Sequence, residues 1–174
     1  MKVIFGVILL PTLAFAQGQP TGPAAGGCGP AAVHFEVQTT KQNPAMPQPP
    51  SGRALVYFIQ DDTHFMSRPR PTARIGIDGE WVGATRSNSF FHIEVDPGEH
   101  HLCASWQSFV AVGAAHTAAA AHLVAEAGHT YYFLVRNSVQ RQPPVPAEVE
   151  FSPLDSDEGQ LLASKFSLST SHPK

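Results

Sequence analysis

The alternation of apolar and polar residues reads as short strands separated by tight turns. Ala54–Ile59 (ALVYFI) is an unbroken run of strand-favouring residues, which predicts a strand covered on both faces. Ala73–Ala84 (ARIGIDGEWVGA) predicts a hairpin about Asp78-Gly79, a pair suited to the positive φ angles of a type I′ turn. That register sets Ile77 opposite Glu80, Gly76 opposite Trp81 and Ile75 opposite Val82, with the glycine leaving room for the indole. A second hairpin is predicted from Phe90–Val95 (FFHIEV), the turn Asp96-Pro97-Gly98-Glu99 and His100–Trp106 (HHLCASW). Proline second and glycine third is type II turn chemistry. A third hairpin spans Ala120–Ser138 and turns near Ala127-Gly128-His129, with Tyr131–Val135 (YYFLV) as another central strand.

The flanks are different. Val33–Thr40 alternates and is a candidate first strand, whereas Asn43–Gly52 holds four prolines that no helix or central strand accommodates. Gln107–Ala121 is alanine-rich and reads as a long loop running into a strand, and Pro143–Pro146 is another break. Glu148–Leu154 alternates again. Asp155, three residues before Glu158, then resembles a capping box and starts the one plausible helix, about Ser156–Lys165. The expected fold is all-β: an antiparallel β-sandwich of about eight strands with one short C-terminal helix.

The first 16 residues read as a signal peptide. Lys2 precedes an apolar run that ends in Ala14-Phe15-Ala16, which predicts cleavage before Gln17 and export to the periplasm or beyond. The run is too short to cross a bilayer core, so no transmembrane segment is expected after cleavage. Residues 17–52 read as a Pro/Gly-rich spacer with one possible strand, and 53–174 as the sandwich domain. In an oxidising compartment the two cysteines, Cys28 and Cys103, are expected to form one disulfide. The net charge of −3, without a Lys/Arg run, argues against a nucleic-acid partner. Nine histidines would reverse the sign of that charge in mild acid.

Candidate chemistry centres on the second hairpin. Closing it on Pro97-Gly98 pairs Val95 with His100, Glu94 with His101, Ile93 with Leu102 and His92 with Cys103. Phe91, Ile93, Val95, Leu102 and Ala104 then share the core face, and His92, Glu94, His101 and Cys103 the other. Two imidazoles and a carboxylate, His92, Glu94 and His101, would at that spacing suit one transition metal ion. The competing reading is ordinary surface polarity with no cofactor. His100 is expected to flank the turn as a hydrogen-bonded residue at the core edge. Asp61-Asp62-Thr63-His64 offers further ligands, and Arg68, Arg70, Arg74 and Arg86 a small basic patch for an anionic partner. Trp81 and Trp106 mark a candidate ligand pocket. No nucleophile elbow, phosphate loop or dinucleotide fingerprint occurs in the sequence.

Ala54-Leu55-Val56-Tyr57, Ile77-Asp78-Gly79-Glu80-Trp81-Val82-Gly83, Pro97-Gly98-Glu99-His100-His101 and Ala127-Gly128-His129-Thr130-Tyr131-Tyr132 together resemble an uncharacterised family of exported bacterial proteins, domain of unknown function 2846. Their order is also similar to small PEGA-type surface domains. The resemblance covers about residues 53–138 and implies a β-rich adhesive or scaffolding module without assigned catalytic residues. The expected function is a secreted or periplasmic, non-catalytic binding module. Its partner would be an envelope component or a small ligand. A metal-binding protein or metal-dependent enzyme is the alternative.

Overall fold

The computed structural model describes residues 27–41, 46–65, 68–107, 117–139 and 147–174. The expected signal peptide, the first part of the expected spacer and the Pro143–Pro146 break lie outside them. Ten strands and one helix follow in chain order: β1 (Phe35–Thr40), β2 (Ala54–Asp61), β3 (Thr72–Ile77), β4 (Glu80–Arg86), β5 (Ser89–Val95), β6 (Gly98–Trp106), β7 (Ala118–Ala125), β8 (Thr130–Val139), β9 (Ala147–Leu154), α1 (Ser156–Lys165) and β10 (Ser167–Pro173).

The strands form a six-stranded sheet, β1-β10-β5-β2-β8-β9, and a four-stranded sheet, β4-β3-β6-β7. Their facing sides share one core, in which Val56, Phe58 and Phe133 of the larger sheet meet Ile75, Leu102 and Leu123 of the smaller. Most neighbours are antiparallel, but β2 runs parallel to β8 and β10 parallel to β5. The outer face of the larger sheet carries a second apolar cluster, where Leu55, Tyr57, Ile59 and Tyr132 lie beneath Ala163 and Leu162 of α1. This is why the apolar run of β2 has no polar alternation: every residue from Ala54 to Gln60 is buried.

The helix starts as its sequence requires. Asp155 Oδ1 accepts the backbone N–H groups of Asp157 and Glu158, both at 2.9 Å, satisfying two donors that helix geometry leaves free. Gly159 docks α1 against β8. A Cβ there would overlap the Tyr132 ring, so the absence of a side chain sets the depth at which the helix packs.

The Asp78-Gly79 hairpin forms with both turn residues at positive φ, 51° and 88°. Ile77 faces Glu80 and Gly76 faces Trp81, as expected. Ile75, however, faces Gly83 rather than Val82, because a β-bulge inserts one residue into β4.

The other two expected hairpins do not form. β5 pairs with β2 and β10, while β6 pairs with β3 and β7. Pro97-Gly98 therefore carries the chain from one sheet to the other. The turn at Ala127-Gly128-His129 does the same between β7 and β8. A tight turn specifies reversal of direction. It does not specify whether the two strands then meet edge to edge or face to face. The face assignments survive: Phe91, Val95, Leu102 and Ala104 all enter the core, and Ile93 packs against it.

The sandwich also extends ahead of Arg53. β1 pairs along its whole length with β10, and Phe35 is buried. Among the described residues no helix is long and apolar enough to cross a membrane.

Candidate functional site

The expected disulfide is present. Cys28 and Cys103 are joined, with Cα atoms 5.1 Å apart. Cys103 lies on the outer face of the smaller sheet, opposite Gly76 of β3, which in turn lies opposite Trp81 of β4. The segment bearing Cys28 crosses this face. A Cβ on Gly76 would overlap the Gly27 carbonyl oxygen, so glycine is what lets the backbone approach. Trp81 Nε1 donates to the Pro30 oxygen at 2.8 Å, and Arg74 Nη1 donates to the oxygens of Ala31 and Val33. The Arg74 guanidinium also sits 4.3 Å from the centre of the Trp81 ring. Burial lowers the Arg74 pKa.

Trp81 and Trp106, the expected pocket residues, lie on opposite faces of the smaller sheet. Trp81 covers the pinned segment, whereas Trp106 is a core residue whose Nε1 donates to Asn137 Oδ1 at 2.6 Å. Asn137 Nδ2 donates to Asp62 Oδ1, and Gln60 Nε2 donates to Asp62 Oδ2 at 2.7 Å. Burial raises the Asp62 pKa, opposed by hydrogen bonds from Asn137 and Gln60 and by the Arg70 charge. Within the Asp61–His64 loop, Asp62 thus turns inward as a structural anchor.

The proposed two-histidine, one-carboxylate cluster is not assembled, because its hairpin does not exist. His92 and Glu94 belong to the larger sheet and His101 to the smaller. His92 lies opposite Tyr57, ring centres 5.1 Å apart, and burial lowers its pKa against the raising effect of Glu94. His101 instead faces His122 across β6 and β7. Glu99 Oε1 is 3.0 Å from His122 Nε2 and 4.0 Å from His101 Nε2, an exposed surface group. Among the described residues, no group of three or more His, Cys, Asp or Glu is placed to hold a metal ion.

The arginine-rich stretch is split between two places. Arg74 holds the N-terminal segment, while Arg70 and Arg86 line a cleft of about 410 Å³. One wall is β1, through Phe35, Glu36 and Val37. Pro69, Arg70 and Thr72 form another, and Arg86, Gln107 and Lys174 complete it. Gln107 fixes the β1 wall: its Oε1 accepts the Phe35 N–H at 2.9 Å and its Nε2 donates to the Phe35 oxygen at 2.7 Å. Lys174 is held by its backbone N–H, which donates to the His34 oxygen at 2.8 Å. The basic motif was visible in the sequence. The contributions of β1 and Lys174 were not, because they depend on a pairing between the two ends of the chain.

A family model for proteins of unknown function, DUF2846, matches residues 50–147, more than half of the sequence. The chain belongs to the DUF2846 family. No curated protein matches it. The match takes in β2 to β8 and Cys103. Cys28, β1, α1 and β10 lie beyond the DUF2846 span. The cleft therefore joins five residues of the DUF2846 match (Pro69, Arg70, Thr72, Arg86 and Gln107) to a wall contributed from outside it.

Proposed function

We propose that this DUF2846 protein is an exported, non-catalytic binding module of the cell envelope, with its ligand site in the cleft beside β1. The observation carrying this reading is the Cys28–Cys103 disulfide. Such bonds persist in oxidising compartments, and this one follows a leader-like N-terminus. The bond also pins the segment that leads into β1, so the oxidised state supports one wall of the cleft. Concave, largely preformed sites of a few hundred Å³ suit small ligands.

The test is fractionation of cells expressing the full sequence, with thiol trapping and intact mass measurement. A protein in the envelope fraction that begins at Gln17 and has no alkylatable thiol is the expected result. An intact leader, cytosolic location and two free thiols would overturn the export reading.

A further inference from the structure

We infer that the cleft beside β1 takes a small oxyanion ligand, a carboxylate or phosphate carried on a short apolar group. This deepens the binding-module reading and rests on it. Arg70, Arg86 and Lys174 all line the cleft, and none of them forms an ion pair with a described residue. The side-chain carboxylate among the lining residues is Glu36, which forms no ion pair with a described residue. Asp62 lies close enough for Arg70 to act on its charge, but both its oxygens are already engaged by Gln60 and Asn137. The cations therefore outnumber the carboxylates that answer them.

The Nε of Arg70 is buried without a hydrogen-bond acceptor among the described residues. That N–H is closed to solvent, so an oxyanion in the cleft would be met by the other nitrogens of the guanidinium. Two guanidinium groups offer the fork geometry that carboxylate and phosphate accept bidentately. Phe35, Val37 and Pro69 add an apolar surface, which suits a ligand with a non-polar portion. Gln107 is already occupied by the Phe35 backbone and acts as a strut.

The experiment is an NMR titration of oxidised, ¹⁵N-labelled protein at low ionic strength. The probes are phenylacetate, inorganic phosphate and the neutral phenylacetamide. Phenylacetate is expected to shift the amides of residues 35–37, 72, 86 and 107 saturably at millimolar concentration. Phosphate should shift the same amides, with the weaker affinity of an anion lacking an apolar part. Phenylacetamide should leave them in place. Arg70→Gln and Arg86→Gln should each weaken phenylacetate binding about tenfold, and Arg86→Lys should recover part of it.

Arg136→Gln removes an exposed arginine of β8 that does not line the cleft, and should change nothing. Because Arg70 also neighbours Asp62, the Arg86 variants decide the matter should Arg70→Gln fail to fold. Equal binding of phenylacetate and phenylacetamide would overturn the charge argument while keeping the cleft as a binding site. Unchanged affinity in a folded Arg86→Gln variant would overturn it as well. Absence of any shift with all three probes would remove the cleft from the functional reading and leave the export test standing.

Discussion

His100 Nδ1 lies 2.7 Å from Asp78 Oδ2, latching the β3–β4 turn to the start of β6. The same imidazole places Nε2 2.8 Å from the Asp96 oxygen. Both partners are acceptors, so both ring nitrogens are best satisfied as donors, which is the charged form. Asp78 Oδ1 also accepts the His101 N–H at 2.8 Å. Burial alone would lower the His100 pKa; hydrogen bonds and the charges of Asp78 and Asp96 outweigh it, and the pKa is raised above 6.5. Burial would likewise raise Asp78, but hydrogen bonds from His100 and His101, with their charges, hold it below 3.8.

The sign of the pH dependence follows. The His100 contribution is complete below the ordinary imidazole value of 6.5 and is lost as pH rises through its raised folded value. The Asp78 contribution is present above 3.8 and is lost as pH falls through its lowered value. Thermal unfolding of His100→Gln should fall furthest below wild type near pH 5.5, with a smaller gap at pH 8.5. Asp78 is nearly half exposed, so screening limits the ionic part to about 1 kcal/mol or less. An equal gap at both pH values would refute the latch.

Asn137 connects the two sheets through Trp106 and holds the buried Asp62 carboxylate. Asn137→Ala removes the Oδ1 that accepts the indole N–H and a donor to the carboxylate. Destabilisation of about 2–4 kcal/mol is expected in urea unfolding. The neighbouring substitution Ser138→Ala, at an exposed position, should change stability by less than about 0.5 kcal/mol. Similar losses in the two variants would contradict the role given to Asn137.

The disulfide closes a loop with a sequence separation of 75 residues. Its loss should cost about 2–5 kcal/mol, since the unfolded chain regains the entropy of that loop. Paired Cys28→Ser and Cys103→Ser substitutions should lower the denaturation midpoint by the same amount as reduction of wild type. Because Trp81 donates to the Pro30 oxygen, its fluorescence should also become more quenchable on reduction. Identical midpoints for oxidised and reduced wild type would argue that the segment carrying Cys28 does not stabilise the fold.

Gly159→Ala sets two effects against each other. Alanine favours an exposed helix over glycine by about 1 kcal/mol. Here the added methyl would overlap the Tyr132 ring, so α1 must shift away from β8. Overpacking of this kind costs about 1–3 kcal/mol. A net loss of melting temperature is expected, with recovery in Gly159→Ala/Tyr132→Leu. A higher melting temperature in the single variant would show that the contact is not tight.

Most strand positions, their faces and the helix were legible in the sequence because each is local; β10 (Ser167–Pro173) was not, because its short polar run carries no apolar alternation. The two-sided burial of β2 follows from ALVYFI, the cap from Asp155 and the first hairpin from Asp78-Gly79. The bulge at Val82 was not legible, since a single inserted residue leaves the alternation on either side intact.

Choice of partner was decided by the tertiary structure alone. Pro97-Gly98 and Gly128 turn the chain equally well within a sheet or between sheets, and FFHIEV alternates identically in both cases. What separates them is that Phe90 and Phe91 point to opposite faces and both need cover, which only a strand between α1 and the opposing sheet obtains. That placement disperses His92, Glu94 and His101. It also brings β1, the Arg70 segment and Lys174 around one cleft, through contacts between residues far apart in the chain whose meeting no local pattern encodes.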